Sequence, residues 1–292
     1  MTIKHLVFTG GGATAILKCL SAYQFLESHK FVSIDQIESI YGTSAGCIVG
    51  ILICLKYNWE HVNSYIIDRP WNELFRIKIQ QIFELYNKKG IYDINIIEKI
   101  FKPLFDVQDI SLDITLEDFY KFAKIELHFS TFEINSFKLI DISYLTHPKL
   151  KLLQALQMTC GLPIIVVPVC IENGIYIDGG LKTAYSINTC LDSGKKSDEI
   201  LGFKNNYTTT PIEIKKETNF IDYIFSFMFK IIKSVAVYED KKIEHELEFD
   251  TPFIDISILK ETTEKKELRI ALFEEGKTVA EKFLLDKNMP SL

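Results

Sequence analysis

The sequence has little arginine and no paired cysteines, and these shortages exclude several classes of protein. Only three of its 33 basic residues are arginine, so a phosphate clamp built from several arginines is excluded. The net charge of the chain is −6, whereas a nucleic-acid-binding domain normally carries a basic face. We therefore expect no nucleic-acid partner. The six cysteines contain no Cys-x-x-Cys pair, which disfavours a zinc site or a disulfide framework and indicates a reducing compartment.

The sequence also lacks a convincing membrane span. Residues 152–171 are uncharged over a spanning length, but Gly161, Pro163 and Pro168 interrupt them. The apolar run at the N-terminus is too short for a signal peptide, so we expect a cytoplasmic protein. The preference for lysine over arginine, together with many isoleucines, indicates an AT-rich genome such as that of a virus or an intracellular microbe.

What is present is an alternation of strand and helix patterns, without repeats or a clear linker. Strands are predicted at 5–9, 39–41, 124–135 with a hairpin return at 137–142, 174–178, 199–204 and 252–259. Helices are predicted at 13–27, 47–55, 58–107 with breaks at 88–90 and Pro103, and 274–285. This order predicts one α/β domain over 1–292, with a mostly parallel central sheet covered on both sides.

The clearest motif is Gly-x-Ser-x-Gly at 42–46, "GTSAG", between a predicted strand and an apolar helix. Glycine two residues before and after a serine lets strand and helix approach closely while the hydroxyl projects outward. This context predicts Ser44 as a nucleophile on a sharp turn. The alternative is a tight turn with a capping serine.

Three consecutive glycines, Gly10, Gly11 and Gly12, join the first strand to the first helix. Bare amides at a helix start can bind a nucleotide phosphate, or they can stabilise the oxyanion formed when a serine attacks an ester. The loop matches neither common nucleotide-binding pattern, and a serine on the next strand favours the oxyanion. A purely conformational turn is the third possibility.

Asp178, followed by Gly179 and Gly180, ends a predicted strand and is a candidate proton acceptor for Ser44. Asp-Gly is also a common turn dipeptide. A histidine triad does not fit, because only His245 follows Asp178, and it lies in "KKIEHELE", which we interpret as a solvated charged stretch.

These motifs, taken in order, resemble those of the patatin-like phospholipases, a family that includes catalytic domains of the cytosolic phospholipase A2 type. The resemblance rests on "VFTGGGATA" (7–15), "YGTSAG" (41–46), "KKGIYD" (88–93), "ITLEDFY" (114–120), "MTCGLPIIVVPV" (158–169), "YIDGG" (176–180) and "LFEEGKTVAEKFL" (272–284). It implies a three-layer α/β/α fold and a catalytic dyad without histidine. By position, Ser44 would be the nucleophile and Asp178 its base, with no cofactor or metal. The amides of the triple glycine and of Ala45 would form the oxyanion hole.

The sequence departs from the family pattern at two places. Thr14 and Ala15 stand where the family usually has a cation and a glycine, and the Asn and Pro that commonly follow Asp-Gly-Gly are missing. We predict that Lys18, one turn beyond Thr14, supplies the missing charge, and that Thr14 and Lys18 contact substrate.

The expected activity is hydrolysis of phospholipid or lysophospholipid esters, with transient contact at a membrane surface. Leu162, Pro163, Gly179 and Gly180 are predicted to border the substrate. The apolar segment 220–238, with lysines on both sides, is predicted either to be a helix that walls an acyl-chain groove or touches a membrane surface, or to be an ordinary buried helix. The alternatives are a catalytically weak or inactive lipid-binding protein of the same fold, and a nucleotide-binding regulator that uses Gly10–Gly12.

Overall fold

The computed structural model describes residues 2–171, 173–207, 214–218, 220, 223–224, 226–227, 230, 240–251 and 256–287. The α-helices are α1 (Gly12–Ser28), α2 (Ala45–Cys54), α3 (Trp59–Asp68), α4 (Trp71–Leu74), α5 (Ile79–Lys88), α6 (Ile94–Val107), α7 (Leu116–Ala123), α8 (Leu152–Thr159), α9 (Ile187–Asp192), α10 (Ile256–Glu264) and α11 (Lys266–Asp286). The strands are β1 (His5–Phe8), β2 (Ser39–Thr43), β3 (Gly90–Tyr92), β4 (Glu126–Glu133), β5 (Lys138–Ile142), β6 (Ile164–Val166), β7 (Val169–Ile171), β8 (Gly174–Asp178), β9 (Ile200–Tyr207) and β10 (His245–Thr251).

The main sheet has the strand order β10-β9-β1-β2-β4-β8-β7, with β5 also paired to β4. The pairs from β10 across to β4 are parallel, whereas β5 and β8 run antiparallel to β4, and β7 runs antiparallel to β8. A second, two-stranded sheet joins β3 to β6. The protein is therefore a mixed α/β fold in which helices flank a mostly parallel central sheet, as the sequence predicted.

Both faces of the sheet are covered, because successive residues of β1 enter different cores. Leu6 and Phe8 belong to a large core with residues of α1, α2, α6 and α8. Val7, between them, packs in a smaller core with Tyr41 and Ile187. This alternation is the ordinary consequence of the two-residue period of a strand.

Pro103 was expected to end a helix, and this prediction is wrong, because it lies inside α6. Proline removes the hydrogen bond that its N–H would give to the carbonyl four residues earlier, here that of Lys99. The guanidinium of Arg69 donates to the Lys99 carbonyl at 3.0 Å. A long-range side chain therefore satisfies the carbonyl that proline leaves unpaired.

The stretch around His245 was interpreted as solvated, and this is also wrong, because it begins β10. His245, Leu247, Phe249 and Thr251 are buried, whereas the residues between them are more exposed. The alternation His-x-Leu-x-Phe-x-Thr was the available signal, and the intervening acidic residues masked it. The strand predicted at 252–259 is not observed either: residues 256–259 belong to α10, and 252–255 lie outside the described residues.

The remaining predicted elements agree with the structure within a few residues, except that the last helix, predicted at 274–285, begins at Lys266. The long helical region 58–107 divides into α3, α4, α5 and α6, and the short strand β3 within it was not predicted. Most of the segment 220–238 lies outside the described residues, so its two interpretations stay predictions. Throughout the described part of the chain, every helix is too short or too polar to cross a bilayer.

Candidate active site

Ser44 stands on a strained turn between β2 and α2, with φ 52° and ψ −116°. The two flanking glycines make this turn possible. A Cβ on Gly42 would lie 2.7 Å from the Cys47 nitrogen, and one on Gly46 would lie 2.3 Å from the Phe8 carbonyl oxygen. Both distances are too short for any side chain, so the glycines allow α2 to start directly against β1 and β2.

Thr159, at the end of α8, holds the backbone of this turn. The N–H of Ser44 donates to the Thr159 hydroxyl oxygen at 2.9 Å, and that hydroxyl donates to the Ser130 carbonyl at 2.5 Å. Thr159 is fully buried. Sequence reasoning missed its part in the site, although it lies in the "MTCGLP" segment, because a lone threonine carries no spacing signal.

The register of the sheet brings Asp178 close to Ser44. Strand β4 lies between β2 and β8, and it pairs Ser130 with Thr43 on one side and Thr131 with Asp178 on the other. The last residue of β8 therefore lies at the level where β2 leads into the serine turn. This arrangement brings the Ser44 and Asp178 side chains, 134 positions apart, close enough for the serine to lower the pKa of the carboxyl group.

The Asp178 carboxyl group is buried, and its charged form is desolvated. Burial raises its pKa to about 6 from an ordinary value of 3.8, although hydrogen bonds from the Ser44 side chain and the Gly180 amide oppose the rise. The Gly180 N–H donates to Oδ1 at 2.7 Å. The carboxylate is therefore more basic than usual and is held toward the serine hydroxyl.

Cys160 lies near the same hydroxyl. Burial raises the pKa of its thiol well above the ordinary value, and an interaction with the Ser44 side chain opposes the rise. The thiol therefore stays protonated near neutral pH.

The triple-glycine loop passes directly beside Ser44, but its three amides are not equivalent. The Gly10 N–H donates to the Ala184 carbonyl at 2.7 Å, so it is not available to an oxyanion, which corrects the sequence prediction for this residue. Gly10 instead packs closely against the strand that leads to Ser44, because a Cβ there would lie 3.2 Å from the Thr43 carbonyl oxygen. Gly11 and Gly12 have positive φ values of 136° and 62° and begin α1, where N–H groups lack helical acceptors.

Asn205, on β9, anchors this loop from the neighbouring strand. Its side-chain amide donates to the Gly10 carbonyl at 2.9 Å and accepts from the Thr251 hydroxyl at 3.0 Å. A Cβ on Gly11 would lie 2.5 Å from the Asn205 Nδ2 atom, so glycine is required for the approach. Sequence analysis did not identify Asn205, because the contact is made across a strand pair.

The serine turn, Asp178 and the glycine loop border a cavity of about 1000 Å³. Ser44, Ala45, Asp178 and the three glycines face it, and the rest of its wall is mostly apolar. The apolar wall includes Ile48, Leu52, Ile66, Ile91, Ile100 and Leu104. A cavity of this size and character suits a long hydrocarbon chain with one reactive polar end.

The predicted substrate-binding residues divide into two groups. Leu162 and Gly180 line the cavity. Pro163 and Gly179 do not, and a Cβ on Gly179 would lie 2.4 Å from the Ser130 carbonyl oxygen, so this glycine serves packing.

Thr14 and Lys18 are buried elsewhere, and their predicted substrate contact is not met. The Lys18 ammonium donates to the Asp250 carbonyl at 3.0 Å and pairs with Glu275 at 2.7 Å. Lys18 therefore ties α1 to β10 and α11 and does not line the cavity.

None of the six histidines lines the cavity, all of them being among the described residues. The buried His128 instead stacks on Tyr41, with ring centroids 3.9 Å apart, and binds Asp141 through Nδ1 at 2.8 Å. Among the described residues, no cluster of His, Cys, Asp and Glu has the arrangement of a metal site.

Known proteins similar to this chain include two from viruses. One, named probable lipid hydrolase 463L, is from Invertebrate iridescent virus 6 and is 27% identical over 214 residues, covering 70% of this chain and 71% of the relative. The other, an uncharacterized protein from Acanthamoeba polyphaga mimivirus, is 25% identical over 229 residues, covering 77% and 74%. These relatives agree with the expectation of a viral or microbial source.

Solved structures share the fold at low sequence identity. VipD from Legionella pneumophila matches with a TM-score of 0.57 at 15% identity, covering 98% of this chain and 67% of that one. The type III effector ExoU of Pseudomonas aeruginosa matches with a TM-score of 0.50 at 13% identity, covering 99% and 54%.

A match to a protein family covers a continuous segment of the chain and not only the separate motifs. A family model described as patatin-like phospholipase matches residues 6–190, a segment that contains the glycine loop, the serine turn and Asp178. Because this segment is more than half of the 292 residues, the chain belongs to the patatin-like phospholipase family.

Proposed function

We propose that the protein is a lipid acyl hydrolase that cleaves carboxylic esters of phospholipids or lysophospholipids through an acyl-Ser44 intermediate. Membership of the family and the name of the viral relative support lipid hydrolysis in general. The observation that carries the finer proposal is the contact between Ser44 and the buried Asp178, beside open glycine amides that border an apolar cavity.

In the proposed first step, the Asp178 carboxylate accepts the proton of the Ser44 hydroxyl as its oxygen attacks the ester carbonyl carbon. The carbonyl oxygen gains the negative charge and is stabilised by the N–H groups of Gly11, Gly12 and Ala45. Collapse of this intermediate breaks the ester bond. The leaving alcohol takes the proton from Asp178, and the acyl group stays on Ser44.

The second step repeats the first with water in place of serine. Asp178 accepts a proton from water, whose oxygen attacks the acyl carbon, and the same amides stabilise the oxyanion. The bond to Ser44 then breaks, the serine oxygen regains its proton from Asp178, and a fatty acid leaves. A base with a pKa of about 6 is ionised at neutral pH while remaining a better acceptor than an exposed aspartate.

The surroundings of the cavity support a lipid with an anionic head group. Its apolar wall would take the acyl chain, and the side chains of Arg76 and Lys182 also border it. These cations would lie near a phosphate. The loop Gly10–Gly12 itself is less suited to a nucleotide phosphate, because it faces the Asp178 carboxylate and its first amide is already engaged.

The decisive experiment is labelling with a long-chain fluorophosphonate, followed by intact-mass measurement and hydrolysis of a lipid panel. We expect one adduct and ester cleavage for the wild type, and neither for Ser44→Ala. Ser136→Ala is the matched control, because Ser136 is an exposed serine of the β4–β5 turn. It should label and cleave normally.

Other results would reject this function in identifiable ways. Lipid binding without an adduct or cleavage would assign the protein to the inactive lipid-binding class. Thermal stabilisation by ATP or NAD, unchanged in Ser44→Ala, would favour the nucleotide-binding regulator.

A further inference from the structure

Helix α5 has an apolar face that is turned to solvent. Ile79, Ile82, Phe83 and Tyr86 recur at the three- and four-residue spacing that places side chains on one side of a helix. Their exposed fractions are 65%, 57%, 77% and 91%. No residue of α5 is buried, so this face does not contribute to the core that such a pattern would normally enter.

The helix is nevertheless firmly attached by its other side. The Gln81 side chain donates to the Ile91 carbonyl on β3 at 3.0 Å and accepts from the Lys78 N–H at 2.8 Å. The Tyr92 hydroxyl donates to the Phe75 carbonyl at 2.6 Å, so the residues that precede α5 are hydrogen-bonded to those that follow it. These hydrogen bonds hold α5 against the rest of the protein with its apolar face outward.

This segment is basic, although the chain as a whole is acidic. Residues 76–89 contain four basic residues and one acidic residue, a net charge of +3, whereas the net charge of the whole chain is −6. The basic residues Arg76, Lys78, Lys88 and Lys89 lie near both ends of the helix and are exposed. Exposed aromatic and aliphatic side chains flanked by cations are typical of a helix that lies in the surface of an anionic bilayer.

The same segment forms part of the wall of the active-site cavity. Phe75, Arg76 and Ile77, just before α5, line it, and so do Ile91 and Tyr92, just after. The exposed face of α5 is therefore next in the chain to residues that border the cavity. Ile77 is itself 48% exposed, so the apolar surface continues from the helix toward the cavity.

We propose that α5, with Ile77, is the surface by which the protein docks on an anionic phospholipid bilayer. The choice of a bilayer rests on the proposed function, since a lipid hydrolase must reach its substrate in a membrane. A second copy of the chain fits less well, because a two-fold contact at this face would place the net charge of +3 in residues 76–89 against the same charge of the other copy.

The test is co-sedimentation of full-length Ser44→Ala protein with vesicles of phosphatidylcholine alone and with added phosphatidylserine. The Ser44→Ala background prevents hydrolysis during the measurement. Phe83→Gln with Tyr86→Gln should weaken binding to both kinds of vesicle about tenfold or more, because glutamine keeps the helix but removes the apolar contact. The matched control is Val107→Gln with Leu145→Gln, which removes two apolar side chains elsewhere that are also mostly exposed, at 76% and 61%.

Lys78→Gln with Lys89→Gln tests the electrostatic part. It should weaken binding to phosphatidylserine vesicles by about fivefold for each lysine, with little effect on phosphatidylcholine vesicles. High salt should reproduce this loss in the unsubstituted protein.

The outcomes separate this inference from the proposed function. With Ser44 restored, the Phe83 and Tyr86 variants should cleave a short, water-soluble ester at the normal rate. Normal cleavage with vesicle binding unchanged in these variants would overturn the docking surface alone. Binding that depends on α5 without any ester cleavage would overturn the function alone. Self-association that the same substitutions abolish, without vesicle binding, would assign the face to a second copy.

Discussion

The site around Ser44 and helix α5 are built in opposite ways. Around Ser44, glycines pack against backbone at distances that exclude a methyl group, and buried hydrogen bonds from Thr159 and Asn205 hold the serine turn and the glycine loop. On α5, four large apolar side chains are left in solvent.

The difference follows from what each of these two regions would have to do in the proposed function. Attack on an ester requires atoms held within a fraction of an ångström, and only close packing and buried hydrogen bonds provide this. Binding to a lipid surface requires exposed apolar area but no exact geometry. Side chains exposed for this purpose do not add to the buried core of the folded protein. Substitutions in the two regions should therefore have different effects.

The largest effect is expected from Asp178→Asn, which removes the base but keeps the shape. The rate of ester cleavage should fall by roughly a thousandfold or more, because an amide cannot accept the proton. In the wild type, kcat/KM should rise with pH through about 6 and then level, since Asp178 must be ionised. A pH–rate profile from pH 4 to 8 checks this, and full activity at pH 4.5 would contradict it.

The same variant should be more stable than the wild type at pH 8. The folded-state pKa is raised, so the ionised carboxylate destabilises the folded protein as pH rises from about 4 through about 6. A pKa of about 6 against 3.8 corresponds to about 3 kcal/mol at most. Urea unfolding should show a stability gain that is present at pH 8 and absent below pH 4.

Gly46→Ala tests the close packing of the serine turn. Its added methyl would meet the Phe8 carbonyl oxygen at 2.3 Å, where only backbone can move. We expect a loss of about 3 kcal/mol in the free energy of unfolding, with loss of fluorophosphonate labelling. Gly50→Ala, in the same helix, is the control: its methyl meets an Ile40 side-chain carbon at 3.1 Å, so stability should change by less than about 1 kcal/mol. Equal losses would refute the argument.

Asn205→Ala tests the anchor of the glycine loop. Without the hydrogen bond to Gly10, the oxyanion amides should be less well placed, and kcat should fall by roughly tenfold to a hundredfold while KM changes little. Asn206→Ala is the control, because Asn206 is exposed on the other face of β9. If the two variants have the same kcat, Asn205 has no positioning role.

Ile100→Trp tests the apolar wall of the cavity and should have the smallest effect. A larger side chain on this wall should reduce kcat/KM for a sixteen-carbon acyl ester by about tenfold, and that for a four-carbon ester by less than about twofold. Val107→Trp, exposed on the same helix, should change neither value. Equal effects on long and short esters would show that the chain does not lie along this wall.

Much of this protein could be inferred from local sequence, and the failures have a common cause. The α/β alternation and the strands carrying the glycine loop, the serine turn and Asp178 were predictable, because each depends on residues close in the chain. Pro103, the strand beginning at His245 and the position of Lys18 were mispredicted, because each depends on a distant partner. Arg69 satisfies the carbonyl behind Pro103, β9 pairs with the buried strand, and Asp250 and Glu275 draw Lys18 away from the cavity.

The sequence by itself determined that a serine would stand between two glycines on a sharp turn, since φ/ψ preference and side-chain size are local properties. Only the tertiary structure decided that Asp178 meets this serine, because β4 must first set the register between β2 and β8. It also decided which glycine amides stay open and that the apolar face of α5 stays in solvent. Hydrogen-bond partners and burial depend on what packs nearby, and a spacing pattern in one stretch of chain does not contain that information.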